Sequence, residues 1–365
     1  MKNPIVIIGA GLSGLRAASL LARQGVKCRL LEARDRIGGR VLSVSDTSRP
    51  ELGEFDLGPT WFWPQYEQTI DDLVKELNIA TFEQYAEGAM LSEQSPNETP
   101  KRYILPKNPS ARSVRFKGGV QALVDAITET IPSDVIELGT RVTSIRQEKN
   151  GDVRVEAALP DETIITISAR AVILALPPRI IGHHIKFTPA LPSDLTTNLV
   201  NKPTWMAGHA KVVAIYERPF WRDSGLSGFV SSRVGPLQEI HDASPETGSG
   251  ALFGFLGIPV EVRQQLGKEK IRELAIDQLV RLFGSEAQNV SAFLSKDWSE
   301  DSETAVEEDW IPLREFPHYG QPPEAGAWGK SIVFAGTETD PRFGGHLEGA
   351  LLTAEKAVFK IVNAE

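Results

Sequence analysis

The sequence is poor in cysteine, with Cys28 alone among 365 residues. A single cysteine cannot form an internal disulfide, and it cannot build a cysteine cluster for zinc or iron–sulfur. The adjacent His183 and His184 lack further ligands at metal-binding spacing, so an exposed turn is the preferred interpretation and we expect no metal. Redox chemistry would therefore have to rest on a bound organic cofactor.

Long apolar runs and an excess of basic charge are also absent. No segment can span a bilayer, and the N-terminal apolar run lacks the basic lead and cleavage site of a signal peptide, so we expect a cytoplasmic protein. The net charge of −9 argues against nucleic acid and mildly favours a cationic substrate. A hydrophobic content of 41% is typical of a globular protein, and the length indicates two domains.

The N-terminal segment has the pattern of a strand, a glycine turn, a helix and a second strand. The apolar run 5–8 is followed by Gly9, Gly11 and Gly14, and an acid, Glu32, ends the second run. Gly9 permits a tight turn, Gly11 lets backbone approach a pyrophosphate, and Gly14 allows close packing of helix and strand. The helix N-terminus offers N–H groups to the phosphates, and Glu32 is placed for a ribose hydroxyl. The pattern predicts dinucleotide binding.

The residues after Glu32 favour FAD over NAD. Gly38-Gly39-Arg40 resembles an extension found in FAD enzymes of the glutathione-reductase-like class, in which the arginine meets the pyrophosphate. Arg40 offers a planar fork of donors to a phosphate, and the two glycines let the backbone come close.

The rest of the chain reads as alternating strands and helices around two irregular stretches. The aromatic segment 55–64 either walls a flat ligand or fills a core, and the proline-punctuated segment 87–113 is predicted to be an irregular excursion. Strand-like runs cover 135–146, 153–158, 164–176, 210–216, 226–231, 252–256, 290–294 and 331–335. Helices are predicted over 71–77, from 120 to 131, over 268–283 and from His346 onward.

Further blocks complete a family pattern. They are Asp56-Leu57-Gly58, Phe116-Lys117-Gly118-Gly119, Ala175-Leu176-Pro177-Pro178, Lys211 ahead of Tyr216-Glu217-Arg218-Pro219-Phe220-Trp221, Asp297-Trp298, and Phe334-Ala335-Gly336-Thr337-Glu338-Thr339 with Leu347-Glu348-Gly349-Ala350. With the N-terminal segment, these blocks resemble the flavin-containing amine oxidases, the monoamine and polyamine oxidase family.

The resemblance implies an α/β protein with two domains. A Rossmann-like, glutathione-reductase-like FAD domain would comprise 1–78, 117–203 and 301–365, and a substrate domain of mixed sheet plus helices would comprise 79–116 and 204–300. The implied FAD contacts are Gly9, Gly11, Leu12, Ser13, Gly14, Glu32, Ala33, Arg34, Gly38, Gly39, Arg40, Gly58, Pro59, Thr60, Trp61, Val142, Gly336, Glu338, Gly345, His346 and Leu347.

The catalytic residues that the resemblance implies are Lys211, Trp298 and His346. Lys211 would hold a water at flavin N5 and stabilise charge developing on oxygen. The ordinary alternative is a surface lysine on a strand, but Lys211 lies in an apolar run. His346 could be a base, a ring against substrate or a helix cap. The start of the last helix, at His346 and Leu347, would present N–H groups to the pyrimidine end of the flavin.

Three features depart from the family pattern. No cysteine occurs in 299–308, where covalent-flavin members carry one, so we expect non-covalent FAD. The chain shows no membrane anchor after its closing helix, which also predicts a protein outside the membrane. The amine-aligning tyrosine pair is altered, because His346 stands in the second position and Val306 or Glu307 falls near the first.

Three functions are open at this stage. The leading hypothesis is an amine oxidase that passes a hydride from the amine to flavin N5 and uses O2, giving hydrogen peroxide and an imine. The alternatives are a dehydrogenase or desaturase with another acceptor, and a flavin-binding protein without turnover. The acidic run 300–309 could attract a polyamine or simply be a solvated loop. We expect a small-molecule amine as partner, no nucleic acid and no membrane, and a homodimer is an option.

Overall fold

The computed structural model describes residues 3–104, 112–311, 313 and 315–363. Its strands are β1 (Ile5–Ile8), β2 (Cys28–Leu31), β3 (Ser43–Val44), β4 (Phe55–Asp56), β5 (Thr81–Glu83), β6 (Ala89–Glu93), β7 (Lys101–Tyr103), β8 (Val114–Phe116), β9 (Ile136–Glu137), β10 (Arg141–Gln147), β11 (Val153–Ala158), β12 (Ile164–Ala169), β13 (Ala171–Leu174), β14 (Lys186–Thr188), β15 (Ala210–Tyr216), β16 (Leu226–Ser232), β17 (Leu237–Asp242), β18 (Gly250–Leu256), β19 (Ala292–Asp297) and β20 (Ile332–Phe334).

Seven α-helices connect these strands within the described residues. They are α1 (Leu12–Arg23), α2 (Gln68–Glu76), α3 (Gln121–Thr128), α4 (Pro178–His184), α5 (Ser193–Asn201), α6 (Val260–Phe283) and α7 (Leu347–Val362). A kink at Gly267, where φ is +73°, divides α6. None of the described helices combines the length and the apolar character that crossing a bilayer requires.

A five-stranded parallel sheet forms the first half of the molecule, in the order β20-β13-β1-β2-β9. β1 is buried along its whole length between β13 and β2, as its run of four apolar residues predicts. One face of the sheet packs against α1, α3 and α7 in a continuous apolar core. The other face packs against the smaller sheet β12-β11-β10-β14 and against α4 and α5.

A seven-stranded mixed sheet forms the second half, in the order β19-β15-β18-β17-β16-β6-β7. α6 covers one of its faces with an apolar core that includes Val212 and Leu252. The opposite face packs against the segment 52–57 through Val213 and Phe253. Because side chains alternate along a strand, Lys211 lies on this second face with Val213. The face with Lys211 is therefore the one turned toward the first half of the molecule.

The architecture is the predicted α/β fold, and several elements correct the sequence prediction. The run 164–176 is two strands, because β12 pairs with β11 whereas β13 joins the parallel sheet. The segment 87–113 is not wholly irregular, since β6 and β7 form a hairpin there; residues 105–111 lie outside the described part. β17 was not predicted. His183 and His184 end α4 rather than forming a turn. The domain boundaries stay a prediction.

Candidate active site

The glycine turn between β1 and α1 has the close packing that its spacing predicts. Gly9 has a φ of +99°, and a Cβ placed on Gly14 would lie 1.9 Å from the Gly9 carbonyl oxygen. A Cβ on Gly11 would meet no protein atom closer than the Gly39 Cα, at 4.0 Å. Gly9 and Gly14 are therefore fixed by protein packing, whereas Gly11 borders open space. The N-terminus of α1 opens there without a side-chain cap.

The second glycine pair brings Arg40 to the same place. Gly38 and Gly39 have φ values of +95° and +59°, and the Gly38 N–H donates to the Ala10 carbonyl at 2.8 Å. Arg40 forms an ion pair with Glu338 at 2.7 Å. The structure thus joins the beginning and the end of the chain beside the glycine turn, as the predicted FAD site requires.

Glu32 is buried at the end of β2 and anchors the turn that follows. Its carboxylate accepts the N–H groups of Ala10 at 2.7 Å and Arg34 at 3.0 Å. Beyond it, the Thr140 N–H donates to the Glu32 carbonyl at 2.7 Å, which places Val142 next to the same strand end. Glu32 and Val142 therefore lie together, where the adenosine end of the cofactor was predicted.

The remaining N-terminal positions support this site from behind. Leu12 and Ser13 are buried at the start of α1, and the Ser13 hydroxyl donates to the Ala335 carbonyl just before Gly336. Ala33 is half-buried after β2. The Arg34 guanidinium bonds Asp301 at 2.5 Å and Thr304 at 2.8 Å in the segment that follows β19, and it lies 3.4 Å from the Glu32 carboxylate. Arg34 therefore connects the end of β2 to the segment after β19.

Lys211 is buried, with only 2% of its surface exposed. Its ammonium donates to the Gly58 carbonyl at 3.0 Å and to the Thr60 hydroxyl at 2.6 Å, and it lies 4.0 Å from the centre of the Phe253 ring. Burial lowers the pKa of Lys211 to about 7; Asp56 opposes the fall and Arg115 adds to it. Lys211 is therefore not a surface lysine, and its ammonium can lose a proton near neutral pH.

The segment Gly58 to Trp61 is held tightly against the rest of the site. A Cβ on Gly58 would lie 2.1 Å from the Arg40 carbonyl oxygen, so no other residue fits there. Trp298 is buried, and its indole N–H donates to the Leu57 carbonyl at 3.0 Å, one residue before Gly58. Pro59 and Trp61 are half-buried beside the buried Thr60. Trp298 thus supports the segment that binds Lys211.

The N-terminus of α7 closes the site opposite this segment. Gly345 has a φ of +80°, and its Cβ position lies 3.0 Å from Trp205. His346 is the N-cap and makes no side-chain cap, so it does not use its ring to bond the helix. Leu347, the first helical residue, is buried. The free N–H groups at this helix start are available to an anion.

The ring of His346 lies among aromatic side chains. It stacks on Phe316 with centroids 5.7 Å apart and meets Trp63 edge-on at 6.2 Å. Burial lowers the pKa of His346, which favours the neutral form of the ring. The Val306 N–H donates to Asp309 at 3.1 Å in the turn before Trp310. Trp63 and Phe316 are therefore the aromatic side chains that surround the His346 ring, and the sequence analysis had not assigned them this role.

A third group of residues in the site was not predicted. On the sheet face with Lys211, His241 is stacked between Phe229 at 4.7 Å and Phe253 at 5.1 Å, and it makes a T-shaped contact with Trp61 at 5.1 Å. Its Nε2 bonds Glu239 at 2.5 Å. The i, i+2 spacing of Glu239 and His241 on β17 could have indicated that both side chains lie on one face. However, the segment is too polar for its strand to be predicted from the sequence.

The acidic run 300–309 is engaged in ion pairs within the protein. Asp301 binds Arg34 and Lys296, and Asp309 binds Arg179 at 2.5 Å. Glu303 pairs with Arg141. These pairs fit a structural loop between the two sheets, and they leave the run a poor attractor for a polyamine.

Unpaired buried atoms test whether the site fits FAD. Both carboxylate oxygens of the fully buried Glu338 lack a well-aligned hydrogen bond, despite the ion pair with Arg40, and the buried Nδ1 of His346 has no partner. An unsatisfied buried polar atom is costly, so these positions indicate a missing polar ligand. With the open space at Gly11 and two uncapped helix N-termini, the residues fit an extended dinucleotide.

Comparison with known proteins decides the family. The model of the flavin containing amine oxidoreductases matches residues 83–362, and that of an NAD(P)-binding Rossmann-like domain matches residues 7–77. The chain belongs to the flavin-containing amine oxidoreductases. It is an FAD-dependent enzyme of that family.

Individual relatives are distant but cover the whole chain. Amine oxidase [flavin-containing] B of Sus scrofa is 25% identical over 100% of this chain and 86% of its own length. L-amino acid dehydrogenase of Synechocystis is 24% identical, with 98% and 94% covered. The structure of putrescine oxidase bound to putrescine superposes with a TM-score of 0.80 at 20% identity, covering 100% of this chain and 99% of that one. This last likeness concerns the fold.

Proposed function

We propose that this amine oxidoreductase oxidises a small amine with O2 as electron acceptor, and that Lys211 is the residue of the chain that promotes the reaction with O2. The observation that carries the proposal is the burial of its ammonium and its hydrogen bonds to Gly58 and Thr60, in the segment packed against Arg40. When bound, FAD would supply a two-electron acceptor for the hydride on the carbon next to the amine nitrogen, and O2 would take up the electron pair and two protons; the products would be hydrogen peroxide and an imine that water hydrolyses.

The chain's contribution begins with binding the cofactor. Gly11 leaves space for the pyrophosphate, Arg40 supplies a planar fork of donors, and Glu338 and Glu32 offer carboxylates to hydroxyl groups. The N-terminus of α7 would present N–H groups and the positive end of its dipole to the negative charge of a reduced flavin ring. Without a cysteine in 299–308, the FAD is held non-covalently.

The residues around the substrate orient it and exclude water. Trp63, Phe316 and the neutral ring of His346 form an aromatic wall at the start of α7. A neutral His346 can accept a hydrogen bond from an amine N–H at its unpaired Nδ1. Orientation of this kind lowers the barrier by fixing the reacting carbon near its acceptor.

Lys211 acts on the oxygen half of the reaction. Its ammonium has two protein acceptors, so one of its three protons remains for a water molecule or for reduced oxygen. A positive charge fixed before the reaction stabilises negative charge that develops on O2 without reorganisation at that moment.

Anaerobic stopped-flow mixing tests the proposal. The holoenzyme is mixed with a panel of monoamines, diamines and amino acids, and bleaching of the flavin absorbance reports reduction. The reduced enzyme is then mixed with air-saturated buffer. Fast recovery of the absorbance supports an oxidase, whereas recovery only with a quinone or dye supports the dehydrogenase that one relative's name indicates. Absence of reduction by every amine would contradict the proposal. A cytoplasmic location and a homodimer remain predictions from the sequence.

A further inference from the structure

The Arg34 side chain lies between two carboxylates, those of Glu32 and Asp301. Its Nη2 donates to Asp301 at 2.5 Å and to the Thr304 hydroxyl at 2.8 Å, whereas its Nη1 lies 3.4 Å from the Glu32 carboxylate, longer than an ordinary N–H···O hydrogen bond. The exposed fractions of these side chains are small, 13% for Arg34, 4% for Glu32 and 9% for Asp301. The guanidinium is therefore bound to Asp301 and lies beside Glu32 without pairing closely with it.

The Glu32 carboxylate has few acceptor positions left for a ligand. An ionised carboxylate has about four lone-pair sites. The Ala10 N–H occupies one at 2.7 Å, and the Arg34 N–H occupies another at 3.0 Å. A guanidinium turned onto Glu32 would fill the remaining sites, because arginine pairs with a carboxylate through two parallel hydrogen bonds. The direction of the Arg34 side chain thus determines whether Glu32 is open to a ligand.

Asp301 is itself fixed by its own segment and by β19. One of its carboxylate oxygens accepts from the Lys296 ammonium at 3.1 Å, and the other accepts the Glu303 N–H at 3.2 Å as well as Arg34. Burial raises the pKa of Asp301, but the charges and hydrogen bonds of Arg34 and Lys296 outweigh burial, so the pKa lies below its ordinary value. Asp301 is therefore a fixed anion at neutral pH.

We propose that Asp301 and Thr304 are positioning residues for FAD, because they hold the Arg34 guanidinium away from Glu32 and so keep the Glu32 carboxylate open to the ribose hydroxyls of the cofactor. Without the charge of Asp301, Glu32 becomes the carboxylate that attracts this guanidinium, which already lies 3.4 Å away. The inference concerns cofactor binding alone, so it does not depend on the reaction with O2.

Asp301→Asn tests the proposal in the full-length holoenzyme. Asparagine keeps the size of the side chain but removes the charge that attracts Arg34. FAD binding should weaken by about tenfold or more, the effect of losing a hydrogen bond between charged groups. Release of FAD after dilution, followed by the rise in flavin fluorescence, and FAD titration of the depleted protein measure it.

Two single variants in the same segment calibrate this loss. Thr304→Val removes one uncharged acceptor of Arg34 from a buried position, so it should weaken FAD binding by about two- to tenfold. Glu300→Gln is the matched control. Glu300 is exposed and pairs with Lys268 at 3.9 Å, so its substitution should leave FAD binding unchanged.

A second substitution separates this role from that of a structural ion pair. Arg34→Met removes the guanidinium that would cover Glu32, so the double variant Arg34→Met/Asp301→Asn should bind FAD more tightly than Asp301→Asn alone, by about fivefold or more. In a Glu32→Gln background, Asp301→Asn should cost no more than about a further twofold, because no charged carboxylate remains there to attract Arg34. Loss of a structural ion pair gives neither result.

Unchanged FAD binding in Asp301→Asn would overturn the inference. So would a double variant Arg34→Met/Asp301→Asn that binds FAD as weakly as Asp301→Asn or more weakly, since a structural ion pair or a direct contact of Arg34 with FAD gives that result. If Asp301→Asn does not fold, Thr304→Val and Arg34→Met/Thr304→Val provide the same comparison without a change of charge at Asp301, and recovery in that double variant is the expected outcome.

Discussion

Burial gives Lys211 its chemical character. An ammonium out of water loses its hydration, and here two protein acceptors and the rings of Phe253 and Phe255 contact it instead. Burial lowers the pKa of Lys211 to about 7, although the negative charge of the nearby Asp56 favours the ammonium form and opposes the fall. The apolar run around Lys211 predicts this burial from the sequence. The hydrogen-bond partners of Lys211 in the segment 58–60 could not be predicted from that run.

The charge of Lys211 predicts a pH dependence for reoxidation. The group is an ammonium below its pKa of about 7 and neutral above it. Reaction of the reduced enzyme with O2 should therefore be faster at pH 6 than at pH 9, with a transition near the pKa. Stopped-flow reoxidation across this range measures it. A pH-independent rate would show that the charge of Lys211 has no part in the step.

Glu67 is a second buried titratable group, behind the site. Its carboxylate accepts the Trp63 N–H at 2.7 Å, next to the aromatic wall, while Glu348 accepts the N–H groups of Thr69 and Ile70. Burial raises the pKa of Glu67 to about 7; the Trp63 N–H opposes the rise and Glu348 adds to it. The folded state thus binds this proton more tightly than the unfolded state does.

Glu67→Gln should stabilise the protein at high pH. Because the pKa of Glu67 is raised in the folded state, protonated Glu67 contributes stability that is fully present below about pH 4.5. This stability is lost as the pH rises through about 7. Gln accepts the same hydrogen bond without charge, so we expect a gain of roughly 1–3 kcal/mol at pH 8 and little change at pH 5. Urea unfolding at both pH values measures it. Glu76→Gln, at the exposed end of α2, is the control; a gain that does not depend on pH would contradict the assignment.

At the scale of elements, the glycines of the β1–α1 turn have two different roles, close packing of the protein and space for a ligand. Gly14 is in contact with Gly9, but Gly11 has an extended conformation, with φ −71° and ψ 176°, that any residue adopts. Gly11→Ala should therefore fold normally and weaken FAD binding by about 1–3 kcal/mol, because the methyl group enters the cofactor's space. Thermal unfolding of the apoprotein and FAD titration separate the two effects.

Gly14→Ala is the matched comparison for this prediction. Its methyl group would lie 1.9 Å from a backbone oxygen, so it should destabilise the apoprotein itself. Unchanged FAD affinity in Gly11→Ala would mean that the cofactor does not pass this glycine.

Elements with a local signal were predicted, and elements defined by distant partners were not. The β1–α1–β2 unit follows from apolar runs and glycine spacing, and β15 has the predicted bounds 210–216. β17 was missed because only Leu237, Ile240 and Asp242 are buried, so its alternation is weak. β6 pairs in parallel with β16, far along the chain, and nothing local indicates that partner. The Glu239–His241 pair was missed with its strand.

On the scale of the whole molecule, the site lies where the two large sheets meet. Lys211 belongs to the mixed sheet and bonds Gly58 and Thr60, in the segment that follows β4. The family motifs predicted an FAD domain assembled from discontinuous pieces and a separate substrate domain. They did not predict the substrate.

Non-covalent FAD is a prediction for the whole protein. Acid precipitation should release all flavin into the supernatant, because the segment after Trp298 offers no cysteine for a thioether bond. The absorbance of supernatant and pellet measures the distribution. Yellow colour retained in the denatured pellet would contradict the prediction.

The central claim is that the buried Lys211 promotes the reaction with O2, and Lys211→Met tests it most directly. Methionine keeps the approximate volume and apolar packing of β15 but removes the charge. Flavin reduction by a good amine should change little, whereas reoxidation should slow by about two to three orders of magnitude, the effect of losing one preorganised electrostatic group. Stopped-flow measurement separates the two half-reactions. Equal reoxidation rates in wild type and variant, with full FAD occupancy in both, would contradict the account.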